Sequence, residues 1–330
     1  MKILLPLAAA AAFVLSACAA PSSAVGPLLS AGELRSLPVA EGEALTPDGV
    51  RLHYRVAGTG DAVVIAPFAL YHGRSLDPLA RGRRIVTYDP RGRGRSAAVP
   101  PAKVSLDALL VDLDTVRRAV GAERVAIIGW SGAGMETFVY AMRHPGRVTR
   151  LVQLAPVAPR FVPYGAQMMA DRRTRTDAAA MATYEDRVRS GAFAGKPEEQ
   201  CRESNAVSVP PLLADSARAA LIPDVCASPN EHPDALAAYF GALFSSIDGY
   251  DWRGSLASVT IPRLIIHGER DNIPLAGSEE WVMGQPNARL RVIAGAGHFP
   301  AYEQPEATLE AIAAFLGGDW PQGAEALPAR

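Results

Sequence analysis

Ser131 stands in Gly129-Trp130-Ser131-Gly132-Ala133-Gly134, between an apolar run at 124–128 and a helix-like run at 136–143. A serine among small residues at a strand-to-helix junction is forced onto a sharp turn that holds its hydroxyl clear of the backbone. A hydroxyl attacks only when a base takes its proton, and an acid must orient that base. Both follow in the chain. Asp271 lies in His267-Gly268-Glu269-Arg270-Asp271, with Glu269 as rival acid, and His298 lies 27 residues later in Ala294-Gly295-Ala296-Gly297-His298-Phe299-Pro300. That interval holds one helix and one strand between two loops. The N–H of Gly132, heading a helix, would stabilise the oxyanion formed by attack on a carbonyl. Read alone, the serine motif also fits a plain Gly–Ser turn. Ala133 adds a methyl where the commonest form of the motif has glycine.

The remaining histidines have plainer places. His144 closes a helix before Pro145, His267 ends a strand, His53 lies in a hairpin and His232 in a polar stretch. His72 follows a strand and is a candidate pocket residue, with Trp130 and Phe299 beside the serine and the histidine.

These side chains need a sheet to carry them. Residues 45–56 predict a hairpin, with Thr46-Pro47-Asp48-Gly49 as the turn. The continuous apolar run at 62–66 predicts a strand covered on both faces, and strand-like runs at 84–88, 124–128, 148–154, 263–266 and 290–293 predict its companions. Helical periodicity occupies 104–120, 136–143, 278–283 and 305–316. The alternation predicts an α/β fold with a mostly parallel, doubly wound sheet. Between 156 and 251 strand-like runs vanish, which predicts a helical cap inserted into a core of 41–155 and 252–316. Residues 317–330 read as a loose tail.

The chain has 330 residues, 49% of them hydrophobic, and a net charge of −1. That composition suits a globular core and suggests no nucleic acid partner. Nothing in it sets an oligomeric state. The first residues carry Lys2 and an apolar run at 3–15, the length of a secretory signal core and short for a membrane span. Leu15-Ser16-Ala17-Cys18 resembles the lipobox of bacterial lipoproteins. That resemblance implies cleavage of residues 1–17, acylation of Cys18, and a tether at 18–40. Ala19, in place of aspartate, implies the outer membrane, facing the periplasm. Ala17-Cys18-Ala19 also fits a plain signal-cleavage site. Cys201 and Cys226 remain, and an oxidising compartment would let them pair; two separate buried thiols are the alternative.

Four motifs, in order, resemble the α/β-hydrolase superfamily across residues 45–316. Besides the serine turn and the acid and histidine loops, Tyr88-Asp89-Pro90-Arg91-Gly92-Arg93-Gly94-Arg95-Ser96 is similar to the family's strand-and-loop signature. His298 with Glu303-Gln304-Pro305-Glu306 is similar to its closing segment. The family's His-Gly after the third strand is replaced by Ala66-Pro67-Phe68-Ala69-Leu70, which leaves the N–H of Phe68 as candidate second oxyanion donor. His72-Gly73 is the alternative, as a displaced His-Gly.

The resemblance implies a serine hydrolase acting on a small-molecule ester or amide, with no metal or organic cofactor. A serine nucleophile disfavours the epoxide-hydrolase and dehalogenase branches, which use aspartate. The signature and the cap are similar to esterases and to the proline iminopeptidase branch. An aminopeptidase needs acids for a free amine, for which the cap offers Glu185, Glu198, Glu199, Glu203 and Glu231. A lipid-tethered binding protein without turnover is the third reading.

Overall fold

A computed structural model describes residues 28–329. Cys18, the leader and the first part of the expected tether lie outside the described residues. Eight strands form one sheet: β1 (Val39–Leu45), β2 (Arg51–Ala57), β3 (Ala62–Pro67), β4 (Arg83–Tyr88), β5 (Val125–Trp130), β6 (Val148–Leu154), β7 (Arg263–Gly268) and β8 (Ala288–Ile293). Their order is β1-β2-β4-β3-β5-β6-β7-β8. The first two form the expected hairpin and pair antiparallel, and β2 meets β4 antiparallel. From β4 to β8 every pairing is parallel.

Neighbouring residues on the central strands point to opposite faces, and both faces are covered. Ile65, Ile127 and Ile265 pack with Phe138 and Trp281 in one apolar layer. Val64, Ile128, Leu264 and Ile266 pack with Ile312 and Phe315 in the other. This is why residues 62–66, 125–128 and 264–266 are apolar at every position rather than at alternate ones.

The chain reverses its direction of travel across the sheet between β3 and β5, which are neighbours. Connections leaving their carboxyl ends diverge, and the crevice so formed is where sheets of this kind receive ligands. Phe68 follows β3, and Ser131 follows β5.

The insertion carries helices Tyr164–Arg175, Ala178–Arg189, Pro197–Ser208 and Pro233–Ser246 with short 3-10 turns between them. Its neck is closed by a bridge between Arg160 and Asp251. Cys201 and Cys226 are joined by a disulfide with Cα atoms 5.6 Å apart. Buried Arg93 of the core clasps Glu231 of the insertion with two hydrogen bonds of 3.0 and 2.8 Å.

Two expectations need correction. The tether expected over 18–40 is folded from Leu28 onward. Leu29 donates to the Pro78 carbonyl at 2.9 Å, and Leu28, Leu29 and Leu37 pack on the core. Ser30 and Glu33 cap the helix Ala31–Arg35 reciprocally. The tail expected at 317–330 is also docked over its described residues, which end at 329. Leu290 and Glu325 exchange backbone hydrogen bonds of 2.8 Å, and Trp320 packs against Phe315. β8 is the edge strand, and the tail pairs with the backbone groups of its Leu290.

Candidate active site

Ser131 sits at φ 54°, ψ −123°, outside the conformations an ordinary residue prefers. Its N–H bonds the Leu154 carbonyl at 2.9 Å, and its own carbonyl accepts from Gly134 at 3.0 Å. The small neighbours are required by contact. A Cβ on Gly129 would collide with Thr137 and the Ala133 carbonyl, and one on Gly134 would stand 2.7 Å from Pro156. Ala133 itself is fully buried, so its methyl is accommodated.

The imidazole of His298 lies between the other two residues. Its Nε2 is 2.9 Å from Ser131 Oγ, and its Nδ1 is 3.0 Å from Asp271 Oδ1. Asp271 Oδ1 also accepts the N–H of Ile273 at 3.0 Å. With Nδ1 donating to the carboxylate, Nε2 is left free to accept the hydroxyl proton. The rival acid, Glu269, instead accepts the N–H of Gly295 at 3.0 Å and braces the histidine loop. Glu303 fastens the same loop, accepting from Gly297 and Phe299 at 2.9 and 3.1 Å, and from Ala214 of the insertion at 2.7 Å. The N–H of His298 donates to Leu212 of the insertion at 2.8 Å.

The N–H of Gly132 heads the helix Gly132–Arg143, and Phe68 holds a left-handed conformation at φ 67°. Neither N–H has a hydrogen-bond partner among the described residues. The loop after β3 is tied to the loop after β4 by Asp89, which accepts the N–H groups of Leu70 and Arg95 at 2.9 and 3.0 Å. Burial pushes the Asp89 carboxyl upward, and those two N–H groups oppose the shift. The signature's Arg91 is likewise structural, paired with buried Asp112.

Ser131, Gly132, Phe68, Trp130 and His298 all face a cavity of about 630 Å³ between core and insertion. Phe161, Tyr164, Met168, Phe240, Leu243 and Phe244 give it an apolar wall. Tyr239, next to Phe240 in the chain, is instead buried beneath Arg93 beside Val104 and Leu109.

Two expected pocket residues do not line the cavity. His72 and Phe299 lie behind Trp130, with ring centroids 5.1 and 4.7 Å from its indole. Burial drives the His72 imidazole down to about 3, so it is neutral. Tyr71, with a ring centroid 5.4 Å from the indole, completes the aromatic packing around Trp130.

Sequence reasoning missed one lining residue, Glu136. It lies in the helix that begins at Gly132, is 5% exposed, and faces the cavity. Burial pushes its carboxyl up to about 7, against the pull of Arg93. Its signal in the sequence is an acid inside a helix with no solvated face: Met135, Thr137, Phe138, Val139 and Tyr140 around it are all buried.

A family profile described as alpha/beta hydrolase fold matches residues 68–305. The polyketide synthase ThaQ of Burkholderia thailandensis is 31% identical over 286 residues, covering 82% of this chain, which spans only 12% of that protein. The pimeloyl-[acyl-carrier protein] methyl ester esterase of Aromatoleum aromaticum is 29% identical over 248 residues, covering 72% of this chain and 92% of the esterase. A serine hydrolase from Cycloclasticus zankles superimposes with a TM-score of 0.64 at 20% identity, over 85% of this chain and 99% of that one. This last likeness is one of fold.

Proposed function

The chain belongs to the α/β-hydrolase family, and from that premise we propose that it is a serine hydrolase cleaving a carboxylic ester or small amide through an acyl-enzyme. The observation that carries this reading is the unbroken hydrogen-bonded line from Asp271 through His298 to Ser131, ending in the cavity. In the proposed cycle, His298 Nε2 takes the Ser131 proton as Oγ bonds to the carbonyl carbon. The carbonyl π electrons move to oxygen, where the N–H groups of Gly132 and Phe68 receive the charge. The imidazolium, stabilised by Asp271, returns the proton to the departing alcohol or amine. Water then repeats the sequence on the acyl-enzyme and frees the acid.

The cavity supports a small substrate with apolar bulk. Its volume suits a ligand of modest size, and its wall is mostly carbon. The insertion's acids give the aminopeptidase reading no support. Glu185 and Glu198 are exposed, Glu199 and Glu203 pair with Arg187, and Glu231 is held by Arg93. None of them lines the cavity. The same proposal puts the enzyme on the cell envelope through acylated Cys18.

The test compares wild type with Ser131→Ala on p-nitrophenyl esters and aminoacyl amides, and maps a fluorophosphonate adduct by mass spectrometry. The expected result is labelling at Ser131 and a loss of at least about 10³ in kcat for the variant. Equal rates, or no adduct at Ser131, would refute the hydrolase and leave a binding protein of hydrolase fold.

A further inference from the structure

Glu136 is an acid with nothing to do in the cycle above. It is the only acid or base among the buried residues of its helix apart from the phenol of Tyr140. No described residue hydrogen-bonds to it. Burying an ionisable group without a partner is unfavourable by several kcal/mol in general, so such a group is expected to have a use.

Its position is specific. Oε1 stands 3.9 Å from where a Cβ on Gly132 would be, so the carboxyl flanks the proposed oxyanion donor. The cations nearby are already engaged. Arg93 makes its bidentate pair with Glu231 and lies over the rings of Phe68, Tyr239 and Phe240. Arg160 pairs with Glu280. Asp112, the other nearby acid, is paired with Arg91. Arg172 and Asp248 also line the cavity; the Arg172 guanidinium, which burial holds below its usual value, donates to the Ser208 carbonyl at 3.2 Å. No described cation is therefore paired with Glu136 when it ionises.

An ionised carboxyl beside Gly132 would oppose a developing oxyanion. A cation on the substrate would remove that opposition and bind in the same act. A ligand cation in a low-dielectric cavity draws the proton off a carboxyl that already titrates near neutrality.

We propose that Glu136 forms a cation-recognition subsite in the cavity wall, so that the ester or amide cleaved at Ser131 carries a protonated nitrogen close to its scissile carbonyl. The proposal rests on the hydrolase reading and names the substrate class within it. The core helix, not the insertion, supplies the acid.

The experiment uses the full chain and two ligands of one skeleton, leucinamide with its ammonium and 4-methylpentanamide without it. Each competes with a fluorophosphonate probe for Ser131, in wild type and in Glu136→Gln. Leucinamide is expected to protect wild type at a concentration about tenfold lower than its neutral partner. In Glu136→Gln that advantage should vanish. Equal protection by both ligands in wild type, or protection by neither, overturns the subsite without recourse to any variant. So does an advantage that survives Glu136→Gln. Failure of the probe to label Ser131 at all overturns the hydrolase reading instead, so the two failures are distinguishable.

Discussion

The indole N–H of Trp130 donates to the backbone carbonyl of His298 at 2.8 Å. The residue before the proposed nucleophile therefore holds the loop that carries its base. Trp130→Phe keeps most of the apolar surface and removes this one bond. A net hydrogen bond is worth about 0.5–1.5 kcal/mol, so kcat should fall by about two- to tenfold with little change in melting temperature. Steady-state kinetics beside a thermal melt check this. An unchanged kcat would mean that the loop is fixed without the indole.

The two acids near the histidine separate by role. Asp271→Asn leaves the size of the side chain but frees the imidazole to adopt the wrong tautomer, and kcat should fall by about 10⁴. Glu269→Gln only loosens the bond to Gly295 and should stay within about tenfold of wild type. A reversed order of the two effects would reassign the acid.

The clasp between Arg93 and Glu231 is fully buried. Glu231→Gln leaves the guanidinium without its counter-charge, and unfolding free energy should drop by about 3–5 kcal/mol. Denaturant titration followed by tryptophan fluorescence reads this. A loss below 1 kcal/mol would show that water or another group takes the place of the carboxylate.

Acid should weaken the fold through His72. Its folded value, about 3, lies below the ordinary value of 6.5, so the unfolded chain binds the proton first. The stability is present above pH 6.5 and is lost as the pH falls towards 3. Between those limits the loss approaches about 1.4 kcal/mol per pH unit. His72→Leu should flatten this part of the profile, and denaturant midpoints at pH 7, 5 and 4 measure it.

The proposed anchor is testable without the fold. Cys18→Ser should move the protein from the membrane fraction to the soluble fraction. Membrane association equal to wild type would count against acylation at that residue.

The fold and the three aligned residues were legible because their signals are local. Ser131, Asp271 and His298 each sit in a short loop whose glycines and flanking apolar run announce a strand end. The continuous apolar run at 62–66 announced a sheet covered twice, which the layers around Ile65 and Val64 explain. What the sequence hid depends on distant partners. The docking of Glu325 on Leu290 requires knowing which strand is at the edge, and residues 317–329 have no pattern of their own. His72 was placed on the right loop but in the wrong layer, since strand position does not say which neighbour stands in front. Glu136 was passed over because an acid in a helix ordinarily marks a solvated face, and this helix has none.

Glu303 gathers the N–H groups of Gly297 and Phe299 with that of Ala214, and His298 itself donates to Leu212. The roof of the chamber and the hinge of the base therefore share one seat. A foreign roof grafted at residues 156–251 would bring new walls but also unseat the imidazole. New selectivity in this protein is more readily engineered by repainting the walls than by exchanging the roof.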